Sequence, residues 1–166
     1  MTAPRDDSPT RHLVLTTPAF RDGETIPVVH TCDGEDLSPP LAWTGVPVET
    51  RGFALICDDP DAPRGTWVHW VLWNLPADAV ELGQGVPPNP ELPSGARQGL
   101  NDSGEVGYSG PCPPRGMPHR YYFRLYALDS AVNLSPGAKR GDLERAMEGH
   151  VLATGTLMGT YQRSTS

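Results

Sequence analysis

Residues 67–74 read WVHWVLWN, and this stretch decides the fold class. Side chains along a strand alternate between its two faces, so Trp67, Val71 and Trp73 share one phase and Val68, Trp70 and Leu72 the other. Both faces are apolar, which marks a central strand covered on both sides. His69 falls inside this strand, in phase with Trp67, Val71 and Trp73. Working outward, alternation and β-branched content predict further strands at 12–17 (HLVLTT), 26–31 (IPVVHT), 52–58 (GFALICD), 120–128 (RYYFRLYAL) and 150–161 (HVLATGTLMGTY). Turn signals separate nearly all of them. The 19 prolines and 18 glycines are spread between apolar runs and do not pile into one block, as in a turn-rich, mainly β protein.

One helix is well signalled, GDLERAMEGH at 141–150. Asp142 reads as its N-cap, Leu143, Ala146 and Met147 as its buried face, and Gly149 as its stop. From 83 to 109 the chain has almost no periodicity, and a span of that length inside a compact domain points to function. At 166 residues the length suits one domain. Residues 1–11 read as a frayed terminus and 12–163 as the domain itself.

Charge and cysteine usage narrow the setting. A net charge of −7, with 13 Lys and Arg scattered along the chain, does not suit a nucleic-acid surface. No apolar run approaches the length that spans a bilayer, and the start lacks a signal-peptide pattern, so a soluble, cytoplasmic protein is expected. Three cysteines, Cys32, Cys57 and Cys112, have no metal-finger spacing and read as reduced thiols.

Two segments carry candidate chemistry. In GPCPPRGMPHRYYF (110–123), two glycines and four prolines run directly into a strand of aromatics, a loop shaped in advance with little freedom to lose. His119 and Tyr121, two residues apart, lie on one face at the mouth of that strand. In CDDPDAPRGTWVHW (57–70), a strand ends at Asp58 and Asp59, and Asp59 keeps the phase of Phe53, Leu55 and Cys57. Each candidate has a bland alternative: an Asx turn for Asp59 or Asp61, a satisfied core imidazole for His69, packing for Tyr121, and a structural thiol for Cys112.

The segments CDGEDLSPPLAW, DDPDAPRGTWVHWVLWNLP, GYSGPCPPRGMPHRYYFRLYALD and GHVLATGTLMGTYQR, in that order, resemble the phosphatidylethanolamine-binding protein family, in particular its bacterial Raf-kinase-inhibitor-like branch. The resemblance covers about 12–163. It implies an antiparallel Greek-key β-sandwich with one or two short peripheral helices and a small preformed anion pocket. Asp59, Pro60, Asp61, Pro63, His69, Gly110, Pro111, His119 and Tyr121 would form that pocket, and the Ala62–Pro63 bond would be cis. The implied role is non-enzymatic binding of a small anionic or zwitterionic phosphate-containing ligand, such as a phospholipid head group, without cofactor or metal. Inhibition of a kinase or serine protease, and a homodimer, belong to the same implication. Two departures stand out. Asn101-Asp102-Ser103-Gly104 replaces the family's Asn-Asp-Phe-Gly, and the chain ends soon after GTYQR, which leaves a more open pocket or one closed by another subunit.

Two other readings remain open from the residues. One is a metal-dependent enzyme using His69, His119 and Asp59 as two histidines and a carboxylate. The other is a thiol hydrolase with Cys112 as nucleophile and His119 as base.

Overall fold

The computed structural model describes residues 11–164. The terminal segment expected to fray lies outside these residues except for Arg11, which begins the first strand. Strands run in the order β1 (Arg11–His12), β2 (Val14–Thr16), β3 (Leu41–Thr44), β4 (Gly52–Asp59), β5 (Trp67–Pro76), β6 (Glu81–Leu82), β7 (Arg97–Gln98), β8 (His119–Leu128) and β9 (Val151–Tyr161). A helix, α1 (Arg140–Met147), precedes β9. The large sheet has the order β1-β9-β8-β4-β5-β7 and the small one β2-β3-β6. Pairing is antiparallel except for β1 on β9. No helix among the described residues is long and apolar enough to cross a membrane.

The large sheet is covered on both faces. Between the sheets, Phe53, Leu55, Trp70, Leu72, Phe123 and Leu125 pack against Leu15, Leu41 and Trp43 of the small sheet. On the other face, Ala54, Ile56, Val71 and Trp73 meet Leu143 and Met147 of α1. Trp70, Trp73 and Phe123 are fully buried. Truncating such a ring to Ala costs about 3–5 kcal/mol, so these three side chains fix where the layers meet.

Three expectations are corrected. The 26–31 stretch is not a strand: Pro27 caps a short 3-10 turn at Val28–His30, because its fixed φ suits a helical start and it has no N–H for a ladder. The helix begins at Arg140, ahead of the expected start. Asp142 sits inside its first turn and accepts the Lys139 N–H at 3.0 Å, while Gly149, at φ +78°, supplies the stop. The third concerns phase. The β4–β5 ladder shifts register between the pairs Cys57–Trp70 and Asp58–Val68. This bulge leaves His69 as an extra residue and turns it onto the face of Trp70 and Tyr121, away from Val71 and Trp73, and it puts Val68 with Val71 and Trp73 rather than with Trp70 and Leu72.

The 83–109 span is held by two buried amides. Gln98 accepts from the Trp70 indole at 2.7 Å and donates to the carbonyls of Pro87 and Asn89. Asn101 donates to the Gly107 carbonyl and accepts from the N–H groups of Ser103 and Glu105. Asp102 clamps the start of β5, exchanging hydrogen bonds with both backbone groups of Val68.

Candidate functional site

At the Asp59 end of β4, the bulged start of β5, the start of β8 and two loops enclose a cavity of about 250 Å³. Six of the expected residues line it: Asp59, Pro63, His69, Gly110, His119 and Tyr121. The other three do not. Asp61 faces Arg120, which binds it through Nε at 2.9 Å and Nη2 at 2.8 Å; this pairing holds the Asp61 carboxyl down at about 2. Pro60 continues the turn, and Pro111 offers its carbonyl to the Cys32 N–H at 3.1 Å.

The two histidines are fixed in the same manner. His119 donates from Nδ1 to Asp59 Oδ2 at 2.7 Å, and the same carboxylate accepts the Asp61 N–H at 2.7 Å. Asp59 is therefore both an Asx turn and an imidazole anchor. His69 donates from Nδ1 to the Ser109 carbonyl at 2.5 Å, and the Ser109 N–H returns a bond to the His69 carbonyl. With both Nδ1 atoms committed, Nε2 is the nitrogen each ring has left for a ligand. The Tyr121 ring stands edge-on to His69 at 5.3 Å and stacked with His119 at 6.4 Å. Burial, followed by the Asp59 charge, pushes the Tyr121 phenol well up, so it remains a neutral donor. Burial is also the largest influence on His69 and lowers its imidazole below the ordinary value, against smaller opposing effects of the Ser109 carbonyl and of Asp59, Asp36 and Asp102. Among the described residues, no Lys or Arg lines the cavity.

Behind the cavity lies a plate formed by residues 30–36. Asp36, at φ +59°, accepts the Gly110 N–H at 2.9 Å, and Tyr108 donates to the His30 carbonyl at 2.7 Å. A Cβ on Gly110 would come within 2.3 Å of both the Asp36 carboxylate and the His30 carbonyl, so only glycine fits there. A disulfide joins Cys32 to Cys112 across 80 residues. It overturns the expectation of three reduced thiols, removes the thiol argument for a reducing compartment, and occupies the nucleophile a thiol hydrolase would need. Cys57 alone is free, and it is buried. The Ala62–Pro63 bond is trans; its turn closes through the Gly65 N–H on the Ala62 carbonyl, with Gly65 at φ +111°.

The metal reading does not fit the arrangement. His119 Nδ1 and Asp59 are spent on each other, and among the described residues no three His, Cys, Asp or Glu side chains gather around a common point.

Wall residues that the sequence did not single out as ligand contacts are Ser109, Pro113, Pro114 and the 41% exposed Trp67 at the rim. Ser103 also lines the cavity, its hydroxyl 3.4 Å from that of Ser109. Asp36 was legible only as part of the CDGEDLSPPLAW segment, and Cys32 only there and as a reduced thiol.

A family model described as phosphatidylethanolamine-binding protein matches residues 16–162. A UPF0098 protein of Methanothermobacter thermautotrophicus is 56% identical over 149 residues, covering 90% of this chain and 98% of the relative. Among solved structures, a phosphatidylethanolamine-binding protein homologue of Chlamydia trachomatis superposes with a TM-score of 0.84 at 41% identity, covering 93% of this chain and all of that one. E. coli YbcL superposes at 0.86 and 32% identity, covering 92% and 99%.

Proposed function

The chain belongs to the phosphatidylethanolamine-binding protein family, and from that premise we propose that it is a non-enzymatic binding protein whose cavity takes a small phosphate-bearing group. One observation carries this reading: two imidazoles of a single cavity have Nδ1 fixed by the protein and Nε2 left over. Protonated, each becomes a donor aimed at an anion, with the Tyr121 hydroxyl beside them. The volume suits a head group rather than a drug-sized molecule. With no Lys or Arg among the described residues of the lining, the two imidazoles are the groups there that can carry positive charge, and together they match one phosphate or sulfate group, or a zwitterion, better than a polyphosphate. Binding rather than catalysis is favoured because the hydroxyls of Ser103 and Ser109 face each other and Cys112 is held in a disulfide.

The proposal extends to the setting. The ligand would be a phosphorylated lipid or protein group, and inhibition of a kinase or serine protease would follow from occupying such a group. A second copy of the chain covering the exposed Trp67 at the rim completes the reading, and light scattering at tens of micromolar tests it.

Calorimetric titration with O-phosphorylethanolamine, with ethanolamine as control, tests the pocket. The phosphorylated compound binds, the amine alone does not, and phosphorus NMR shows the ester intact afterwards. Equal binding of both, or loss of the ester, contradicts the proposal.

A further inference from the structure

We propose that the Cys32–Cys112 disulfide is a site of thiol–disulfide exchange, through which dithiol reductants loosen the cavity wall and weaken ligand binding. The effect on binding rests on the anion-pocket reading above; the exchange itself does not.

Position comes first. Both half-cystines are exposed, and Cys112 also lines the cavity, so the bond is open to a small reductant yet belongs to the binding wall. Exposed disulfides are the ones that exchange readily.

Anchoring is the second observation. Upstream of Cys112 the chain is pinned by the Pro111 carbonyl on the Cys32 N–H and by Gly110 on Asp36. Downstream, the Gly116 N–H donates to the Arg163 carbonyl, and Gln162 Nε2 donates to the Gly116 carbonyl. Pro113 and Pro114, both facing the cavity, have no N–H to offer. The covalent link at Cys112 therefore anchors the middle of the wall.

The third observation is electrostatic. Arg163 Nη1 lies 3.9 Å from Cys112 Sγ, and its guanidinium is oriented by Asp33 at 3.2 Å. A cation there stabilises a thiolate on Cys112, making Cys112 the better leaving group and Cys32 the sulfur attacked. A dithiol thiolate forms a bond to Cys32 Sγ as the Cys32–Cys112 bond breaks, and the electron pair leaves on Cys112 beside Arg163. The second thiol of the reagent then displaces Cys32 by closing its own disulfide. Two electrons and two protons pass from the dithiol to the cysteine pair.

The test uses the full chain, oxidised and dithiothreitol-treated, together with the Cys32→Ser/Cys112→Ser double variant. Native-state thiol titration, circular dichroism, calorimetric titration of sulfate and hydrogen exchange over 112–118 are the readouts. We expect two new thiols without unfolding, faster exchange confined to that segment, and sulfate affinity about tenfold weaker, the cost of re-ordering the wall at binding. The double variant should match the reduced protein and ignore dithiothreitol. Failure of the native protein to be reduced, unfolding on reduction, or unchanged affinity and exchange would overturn the proposal. If the oxidised protein does not bind sulfate at all, the anion-pocket reading fails separately. Hydrogen exchange then decides this one: acceleration at 112–118 upholds exchange-controlled loosening, and an unchanged profile rejects it.

Discussion

Asp58 and Asp59 are neighbours at the end of β4, both buried, and they do opposite work. Asp58 points to the helix face, where Arg124 binds it through Nε at 3.0 Å and Nη2 at 3.1 Å and Arg140 reaches it at 2.8 Å. Arg124 also lies 4.5 Å from the centre of the Tyr122 ring. Asp59 points to the cavity, where it meets the His119 imidazole, the Asp61 N–H and the Tyr121 hydroxyl and no guanidinium among the described residues. The Asp58 side chain is satisfied within the protein; the Asp59 cluster leaves a nitrogen facing a hollow. Burial and charge alone do not separate structure from function. What separates them is whether the partners of the buried group are complete.

Asp58→Asn should break the structural side of this comparison most severely. Removing the charge that binds two guanidinium groups lowers the free energy of unfolding by about 3 kcal/mol, read by urea denaturation, while sulfate affinity of the folded protein stays within about twofold. Asp59→Ala should show the reverse balance. The His119 ring loses its anchor and the Asp61 N–H its acceptor, so sulfate binding weakens about tenfold for roughly 1–2 kcal/mol of stability. If both variants lose stability and binding in the same proportion, the division between the two faces is wrong.

A smaller effect concerns His69. Burial lowers its imidazole in the folded protein, so the unfolded chain takes up this proton first as pH falls below the ordinary value of about 6.5. The neutral ring's contribution to stability is therefore present above 6.5 and is lost as pH falls from there through the lowered folded value. A ligand anion reverses the preference by favouring the protonated ring. Stability measured between pH 7 and 5 should thus fall less steeply with sulfate present, and His69→Gln should flatten the slope without ligand. An unchanged slope in that variant removes His69 from the account.

The long strands were legible because β4, β5, β8 and β9 alternate or run apolar over eight residues or more. The small sheet was only partly so: β2 falls within the 12–17 run, but β3 and β6, at four and two residues, are too short for any period to show. The cavity was legible through its Pro and Gly punctuation and through His119 and Tyr121 in one phase. His69 was found by type but placed on the wrong face, because a bulge depends on how two strands pair and leaves no mark in one of them. The Cys32–Cys112 link and the Asp36–Gly110 contact join segments 80 and 74 residues apart, a distance over which local pattern says nothing.

The central claim is that His119, held by Asp59, presents a donor to an anion in this cavity. Calorimetric titration of sulfate into the wild type and His119→Ala at pH 6 tests it most directly. Loss of one hydrogen bond to a charged group should weaken binding by about 1.5–3 kcal/mol, at least tenfold in affinity. Binding by His119→Ala as tight as that of the wild type would contradict the claim and leave the Pro-rich loop a structural corner.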